Sequence, residues 1–221
     1  FVHGRTNQEI EHYDWESIYN ARPLNRLDER MGFESKFWRD WMAHPIKDDY
    51  WKRACYMHRM AELDIPALHI CGWYDDDGAS TYNNYPNARK LAKSRDDQYI
   101  LVGPWPHATN TKCIIHGVDF GPEEIIDLNG FILAWLDKVI MNNPDRWGSR
   151  TRATLFIMGE NKWYGFDDWP TGVEEKSLFL SSNGRANSLI GDGRLEREAS
   201  NCPEGDGCYD EYLYDPQNPT P

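Results

Sequence analysis

The sequence predicts an α/β fold, and two observations carry that prediction. ALHIC and QYILVG are short, continuous apolar runs of the kind found in strands that are buried on both faces of a parallel sheet. Helical stretches follow both runs: one begins near Gly78, and another begins at Pro122 and carries apolar residues at helical spacing from Ile125 to Val139. Strands that alternate with helices predict a parallel sheet with covering helices.

The regions on either side of this α/β part have different patterns. From about residue 9 to residue 62, aromatic and apolar residues recur at roughly helical spacing, broken at Pro23 and Pro45, which predicts short helices packed as a cap. After Pro144 the helical period disappears, and TRATLFIM, KSLFL and EYLYD are predicted strands of an antiparallel β-sandwich. The predicted divisions are residues 1–62 for the helical cap, 63–148 for the α/β part and 149–221 for a partial β-sandwich.

Composition limits the class of protein. A chain of 221 residues with 40% hydrophobic residues and ten tryptophans can bury a substantial core. The net charge of −12 argues against a nucleic-acid partner, because phosphate binding needs clustered Lys and Arg. The longest apolar stretch, IIDLNGFILAWLDKVI, is interrupted by Asp127, Asn129 and Asp137, so no membrane span is predicted.

The five cysteines do not form a disulfide framework. Cys55, Cys71 and Cys113 are predicted to be free thiols, whereas Cys202 and Cys208 bracket the loop PEGDG and either pair or remain free. A disulfide there would favour a periplasmic or secreted protein. Neither a CxxC motif nor a His-x-x-x-His pair is present, and no metal or other cofactor is predicted.

An acidic and a basic side chain follow the two predicted strands. Asp75 follows the first strand and His107 follows the second, and the carboxyl ends of parallel strands meet at one edge of a sheet. A serine hydrolase on such a sheet supplies Ser, then Asp or Glu, then His along the chain. The sequence contains no G-x-S-x-G, and Ser80, the serine nearest the acid, is predicted to cap a helix, so the nucleophile is expected upstream of residue 1.

Other interpretations of this loop remain open. Asp75 could instead cap the helix that begins near Gly78, and Asp76 or Asp77 would replace it as the acid if the loop were shifted. The aromatic residues beside the two positions, Trp73, Tyr74 and Trp105, are predicted to line an apolar substrate pocket, with burial in the core as the alternative.

Five segments resemble the signature stretches of one hydrolase family. They are HPIKDDYWKR (44–53), IPALHICGWYDD (65–76), VGPWPHA (102–108), FIMGENKWYGFDDWP (156–170) and YDPQNPTP (214–221). In this order they resemble stretches of the cocaine esterase and α-amino acid ester hydrolase family, which includes glutaryl acylases and is distantly related to the X-prolyl dipeptidyl aminopeptidases.

This resemblance implies a specific architecture and site. Members have an α/β-hydrolase domain, an inserted helical cap and a C-terminal jelly roll, and the chain resembles their middle, from the cap into the jelly roll. GWYD and GPW-x-H match the family's acid and base motifs, which implies that Asp75 and His107 are catalytic. Asp77 resembles one of the carboxylates that bind a substrate α-ammonium group in amino acid ester hydrolases, whereas Gly78 stands where the second acid would be. The oxyanion hole is expected upstream.

The sequence therefore predicts the acid-and-base portion of a serine hydrolase that cleaves small-molecule carboxylic esters or amides through an acyl-enzyme. Its expected partner is the remaining part of the same hydrolase, and a homo-oligomer is an open prediction. One alternative is an X-prolyl dipeptidyl aminopeptidase. Another is a noncatalytic binding or structural module that has lost its catalytic half.

Overall fold

The computed structural model describes residues 13–107, 111–170, 174–199 and 209–218. The chain divides into two compact units. The sheet unit comprises Asp49–Val173, and the split unit comprises Phe1–Asp48 together with Glu174–Pro221.

Short helices come first in the chain, followed by alternating strands and helices and then by strands, as the sequence pattern indicates. The α-helices are α1 (Trp15–Tyr19), α2 (Leu27–Arg30), α3 (Lys36–Ala43), α4 (Asp49–Lys52), α5 (Gly78–Leu91) and α6 (Leu128–Ile140). Short 3₁₀ segments lie at Leu24–Arg26, Met57–Glu62, Arg95–Asp97 and Pro122–Glu124. The strands are β1 (Ala67–Gly72), β2 (Gln98–Gly103), β3 (Ile114–Ile115), β4 (Val118–Asp119), β5 (Ala153–Ile157), β6 (Lys162–Phe166), β7 (Phe179–Ser181) and β8 (Arg194–Glu196).

A four-stranded mixed sheet in the order β1-β2-β5-β6 forms the centre of the sheet unit. β1 and β2 are parallel, in a register that runs from Ala67 opposite Gln98 to Gly72 opposite Gly103. β5 joins β2 in parallel, and β6 closes the sheet as an antiparallel neighbour of β5. All six residues of β2 are buried, which explains the apolar run from Tyr99 to Val102.

Helices cover both faces of this sheet. Because side chains alternate across a strand, Ile100 and Val102 lie on one face with Tyr85 of α5, whereas Tyr99 and Leu101 lie on the other. That second cluster includes two residues of α6, Phe131 and Ala134. The predicted α/β arrangement is confirmed at this level, with an antiparallel edge strand that the sequence pattern did not indicate.

The sequence-based boundary at residues 148 and 149 differs from the division in the structure. The segment TRATLFIM contains β5, which pairs in parallel with β2 and does not form part of a separate β-sandwich. The alternating pattern of a short strand does not reveal its partner, so pattern alone could not place β5 in the central sheet. The sheet unit extends to Val173.

The split unit combines short helices with one strand pair. Ser35 caps α3 by accepting a hydrogen bond from the Trp38 amide at 3.3 Å, and the buried Asp28 accepts bonds from the Ser35 amide and Arg39 Nε. β7 and β8 pair antiparallel, whereas the predicted strand EYLYD contains no strand residues. Arg22 Nε donates to the Pro216 carbonyl at 3.0 Å, which connects the two sequence-distant parts of this unit. The predicted jelly roll stays a prediction.

Two further sequence predictions concern membranes and thiols. No helix in the described part of the chain is long and apolar enough to cross a bilayer. Cys55, Cys71 and Cys113 are free thiols, as predicted. Cys202 and Cys208 lie outside the described residues.

Candidate active site

The ends of β1 and β2 bring the predicted acid and base together. The two strands are adjacent and parallel, and they end side by side at Gly72 and Gly103. Asp75 lies three residues beyond the first strand end, and His107 lies four residues beyond the second. Parallel pairing therefore delivers both side chains to one edge of the sheet.

The two strand-end glycines allow the loops to pack closely. A Cβ atom at residue 72 would lie 1.7 Å from the Trp105 carbonyl oxygen, and one at residue 103 would lie 2.0 Å from the Trp105 ring. Two backbone hydrogen bonds join the loops: Trp73 N–H to Gly103 O at 2.8 Å and Tyr74 N–H to Trp105 O at 3.3 Å. Glycine is required at both positions because any side chain would separate the loops.

Backbone hydrogen bonds fix the position of Asp75. Its amide donates to Gly72 O at 3.1 Å, and its carbonyl accepts from the Gly78 amide at 3.0 Å as α5 begins. Its carboxylate Oδ1 accepts from the Asp77 amide at 3.0 Å. Only 10% of the side chain is exposed, so this carboxylate is nearly covered at the edge of the sheet.

His107 pairs with Asp75. Its Nδ1 lies 3.1 Å from Asp75 Oδ1, and 65% of its side chain is exposed. Because an ionised carboxylate only accepts hydrogen bonds, the proton is assigned to Nδ1, which leaves the Nε2 lone pair free to accept a proton. The hydrogen bond that His107 donates to Asp75, with the charges of Asp75, Asp77 and Asp76, raises the pKa of His107 above its ordinary value. This arrangement can orient an imidazole and stabilise its charged form.

Asp76 and Asp77 are the acidic residues that follow Asp75. Asp77 Oδ2 lies 3.9 Å from His107 Nδ1 and its side chain is 82% exposed, so the geometry favours Asp75 as the partner of His107. The ligand atoms of Asp75, Asp76, Asp77 and His107 lie within 4.8 Å of one another, a spacing that could hold a metal ion. Exposed acidic groups commonly cluster without one, and the predicted absence of a metal stays a prediction.

Ser80 is not the N-cap that the sequence indicated. α5 begins at Gly78, with Asp77 at the N-cap position and no side-chain capping bond. Ser80 lies inside the first turn, where its amide donates to the Asp77 carbonyl at 3.2 Å.

The three aromatic residues predicted to line a pocket have different environments. Trp105 is buried, with 3% of its surface exposed, and packs against Trp163, so the prediction that it lines a pocket is corrected to a core role. Trp73 is half-buried and donates from Nε1 to the Phe156 carbonyl at 2.7 Å. Tyr74 is 38% exposed and contacts His116, so it alone presents a substantial open surface beside the acid.

Sequence reasoning missed several residues that build this site. Gly72 follows the predicted strand ALHIC and Gly103 ends QYILVG, and a glycine at a strand end with a tryptophan one or two residues later was an available signal of close packing. Tyr82, whose hydroxyl donates to Gly72 O at 2.8 Å, gave no comparable signal. Its position four residues after Gly78 is ordinary helical spacing.

Comparisons with known proteins find similar hydrolases. The family model for X-Pro dipeptidyl-peptidase (S15 family) matches residues 3–109. The cocaine esterase of Rhodococcus sp. (strain MB1 Bresler) is 29% identical over 184 residues, which cover 80% of this chain and 30% of that protein.

Two solved structures show the same fold. An aminopeptidase from a marine sediment archaeon, Thaumarchaeota archaeon, superposes with a TM-score of 0.68 at 23% identity, over 94% of this chain and 33% of that chain. A selenomethionine-labelled α-amino acid ester hydrolase superposes with a TM-score of 0.72 at 19% identity, over 94% of this chain and 34% of that chain. The chain therefore spans about a third of the length of each of these relatives.

These findings confirm the resemblance read from the sequence motifs. Over about a third of their length, the chain is similar to cocaine esterase, an aminopeptidase and an α-amino acid ester hydrolase, and residues 3–109 match the X-Pro dipeptidyl-peptidase (S15 family) model.

Proposed function

We propose that this chain is the acid-and-base portion of a serine hydrolase that cleaves carboxylic esters or amides through an acyl-enzyme. The observation that carries the proposal is the 3.1 Å contact between His107 Nδ1 and Asp75 Oδ1 at the ends of two neighbouring parallel strands. The nucleophilic serine is proposed to lie in sequence upstream of residue 1, because the 221 residues contain no G-x-S-x-G.

The chemistry assigns one role to each of the two side chains. His107 Nε2 accepts the serine proton as Oγ attacks the substrate carbonyl, and it then protonates the leaving alcohol or amine as that bond breaks. Water then attacks the acyl-enzyme while His107 accepts its proton, and the carboxylic acid is released as the serine is reprotonated. Asp75 keeps the proton on Nδ1 and stabilises the imidazolium, which is consistent with the raised pKa of His107.

The choice of ester and amide substrates is supported by the relatives. Their names describe an esterase, an ester hydrolase and an aminopeptidase, which all cleave an acyl carbon from an oxygen or a nitrogen.

Fluorophosphonate labelling tests the proposal. The protein encoded by the complete open reading frame is labelled, and mass spectrometry locates the modified residue. We expect an adduct on a serine outside residues 1–221, lost in His107→Ala. His58→Ala is the matched control, because His58 is also exposed but lies on the 3₁₀ segment Met57–Glu62 and should leave labelling unchanged.

Two results would contradict the proposal. Absence of an adduct on any serine would favour the noncatalytic alternative, a binding or structural module. An adduct that persists in His107→Ala at the rate of the unaltered protein would show that another residue is the base.

We further propose that Asp77 contributes to recognition of a cationic amine on the acyl group. Its carboxylate is 82% exposed and 3.9 Å from His107 Nδ1, so an ammonium group bound there would lie beside the catalytic pair. Asp77→Asn should reduce the preference for amino-bearing esters over plain acyl esters. Asp76→Asn, which changes the neighbouring exposed acid, is the control and should change this preference less. An unchanged preference in Asp77→Asn would contradict the proposed role of Asp77.

An X-prolyl dipeptidyl aminopeptidase is the second candidate, favoured by the match of the S15 family model to residues 3–109. Both candidates use the same acid and base, so labelling does not separate them. Kinetics do: a kcat/KM for Xaa-Pro amides above that for simple esters would favour the peptidase, and the reverse would favour the esterase.

A further inference from the structure

Tyr82, in α5, contacts the start of the turn that carries Asp75. Its hydroxyl donates to Gly72 O at 2.8 Å, and the same carbonyl accepts the Asp75 amide at 3.1 Å. One carbonyl thus receives both the tyrosine hydroxyl and the amide of the proposed catalytic acid. A change in the orientation of this peptide group moves the Asp75 backbone directly.

The Tyr82 ring is itself closely confined. It stacks on Trp73 with ring centroids 5.5 Å apart and an interplanar angle of 26°, and it contacts Trp169 at 6.1 Å. A Cβ atom at residue 78 would lie 3.0 Å from the ring and 3.1 Å from the hydroxyl oxygen. The glycine that starts α5 therefore leaves the space that the tyrosine occupies.

The Tyr82 hydroxyl serves as a hydrogen-bond donor. Burial raises the pKa of Tyr82 well above its ordinary value, so the group stays protonated and can act as a donor. The described contacts of the hydroxyl are with Gly72 O and, within hydrogen-bonding reach, Cys71. The group touches neither Asp75 nor His107 in these contacts, which makes it a positioning group rather than a catalytic one.

We propose that the Tyr82 hydroxyl is a positioning residue, which holds the Gly72 carbonyl so that Asp75 Oδ1 is directed at His107 Nδ1. The inference rests on the proposed function for its catalytic consequence. Its structural content, the alignment of Asp75 with His107, is independent of any activity.

The test compares Tyr82→Phe with Tyr85→Phe in the protein encoded by the complete open reading frame. Tyr82→Phe removes only the hydroxyl and keeps the ring stack. Tyr85→Phe removes a hydroxyl from the same helix, one that donates to Asp168 Oδ1 at 3.0 Å. Both variants lose one hydrogen bond, so a general loss of stability affects both.

The first readout is the NMR titration of the His107 imidazole. If Asp75 loses its alignment in Tyr82→Phe, the His107 pKa falls, whereas it stays unchanged in Tyr85→Phe. Equal His107 pKa values in Tyr82→Phe and the unaltered protein would overturn the proposal, as would an equal fall in both variants.

The second readout is kinetic. Tyr82→Phe should lower kcat about ten- to a hundredfold with KM nearly unchanged, because a misplacement of about 1 Å can cost on the order of 10²-fold. If the unaltered protein has no hydrolase activity, the proposed function fails while the titration still decides the positioning role.

A second variant tests the position of the same hydroxyl. Gly78→Ala places a methyl group against the Tyr82 ring and should displace the hydroxyl without removing it. It should lower the His107 pKa as Tyr82→Phe does. A His107 pKa unchanged in a folded Gly78→Ala that has moved Tyr82 would contradict the proposal, and this variant decides the matter if Tyr82→Phe does not fold.

Discussion

The pairing of Asp75 with His107 depends on backbone contacts made by neighbouring residues of the same turn. The Gly72 carbonyl holds the Asp75 amide, and the Asp77 amide holds its carboxylate. The sequence predicted Asp75 as the acid and His107 as the base from their places after two apolar runs. It left Asp76 and Asp77 open as replacements for Asp75, because only the folded turn determines which carboxylate faces the imidazole.

Asp75→Asn tests this choice through the titration of His107. The carboxylate stabilises the imidazolium and raises its pKa, so the neutral amide should let the His107 pKa fall toward about 6.5. If His107 is the general base, the acid limb of kcat/KM moves to lower pH, and kcat falls on the order of 10⁴-fold because the tautomer is no longer fixed.

Asp76→Asn is the matched control for that measurement. It removes one neighbouring exposed charge but not the hydrogen bond, so the His107 pKa should change much less. An equal or larger fall in Asp76→Asn would mean that Asp75 is not the specific partner. NMR titration of both variants gives the answer without a substrate.

Glu124 is a buried acid outside the candidate site. Its side chain is fully buried, and neither carboxylate oxygen has a hydrogen-bond partner among the residues that the structure describes. Burial, with a smaller effect from Asp119, raises the pKa of Glu124 above its ordinary value. A carboxyl in such a place is favoured in its neutral form, since an unpaired buried charge is costly.

Stability should therefore depend on pH through Glu124. The folded-state pKa is above the unfolded value, so the contribution to stability is complete below the unfolded pKa, near 4.5, and is lost as pH rises through the folded pKa. Glu124→Gln removes this loss. The difference in Tm between variant and unaltered protein should become more positive from pH 5 to pH 8.

Calorimetry at the two pH values measures this effect. Glu123→Gln changes the adjacent exposed glutamate and should give a difference in Tm that is nearly constant with pH. A constant difference for Glu124→Gln as well would show that Glu124 does not titrate with a raised pKa in the folded protein.

α5 is connected to the end of β6 by a cluster of polar contacts. Asp168 Oδ2 accepts from Arg89 Nε at 2.8 Å and lies 2.7 Å from Nη2, while Oδ1 accepts from Tyr85 at 3.0 Å. These bonds lower the pKa of Asp168 against the opposing effect of its partial burial. They join two elements 79 or more residues apart along the chain, and no local pattern predicts such a pair.

Asp168→Asn should destabilise the protein by about 1 to 2 kcal/mol. The charge-assisted bonds are lost and Arg89, 16% exposed, keeps only its longer ion pair with Asp96 at 3.4 Å, but the 42% exposure of Asp168 lets water offset part of the cost. Urea unfolding measures the change. Asp167→Asn, at the neighbouring exposed position, should cost less than about 0.5 kcal/mol.

A loss in Asp168→Asn no greater than that in Asp167→Asn would show that the cluster contributes little to stability. The comparison is internal, because both variants neutralise one carboxylate on the same short segment.

The catalytic apparatus proposed for this protein is larger than the 221 residues. The chain spans about a third of its relatives' length, and the acid and base within it have no G-x-S-x-G serine to activate. An imidazole and a carboxylate alone lack the nucleophile that an acyl-enzyme requires.

Residues 1–221 expressed alone should therefore give no fluorophosphonate adduct, whereas the product of the complete open reading frame should give one. Circular dichroism of the shorter protein checks that it is folded. An adduct on a serine inside the chain, Ser80 for example, would place the nucleophile here and contradict the upstream assignment.

The sequence by itself determined the α/β class, the place of Asp75 and His107 after two strands, and the resemblance to a hydrolase family. Each of these depends on local pattern, because apolar runs indicate burial and motifs consist of residues next to one another in the chain. Only the tertiary structure decided that β5 belongs to the central sheet, that Trp105 lies in the core, and that Tyr82 and Asp75 share one carbonyl. Those features are contacts between residues distant in sequence, and a contact is fixed by which surfaces pack together, which local pattern does not encode.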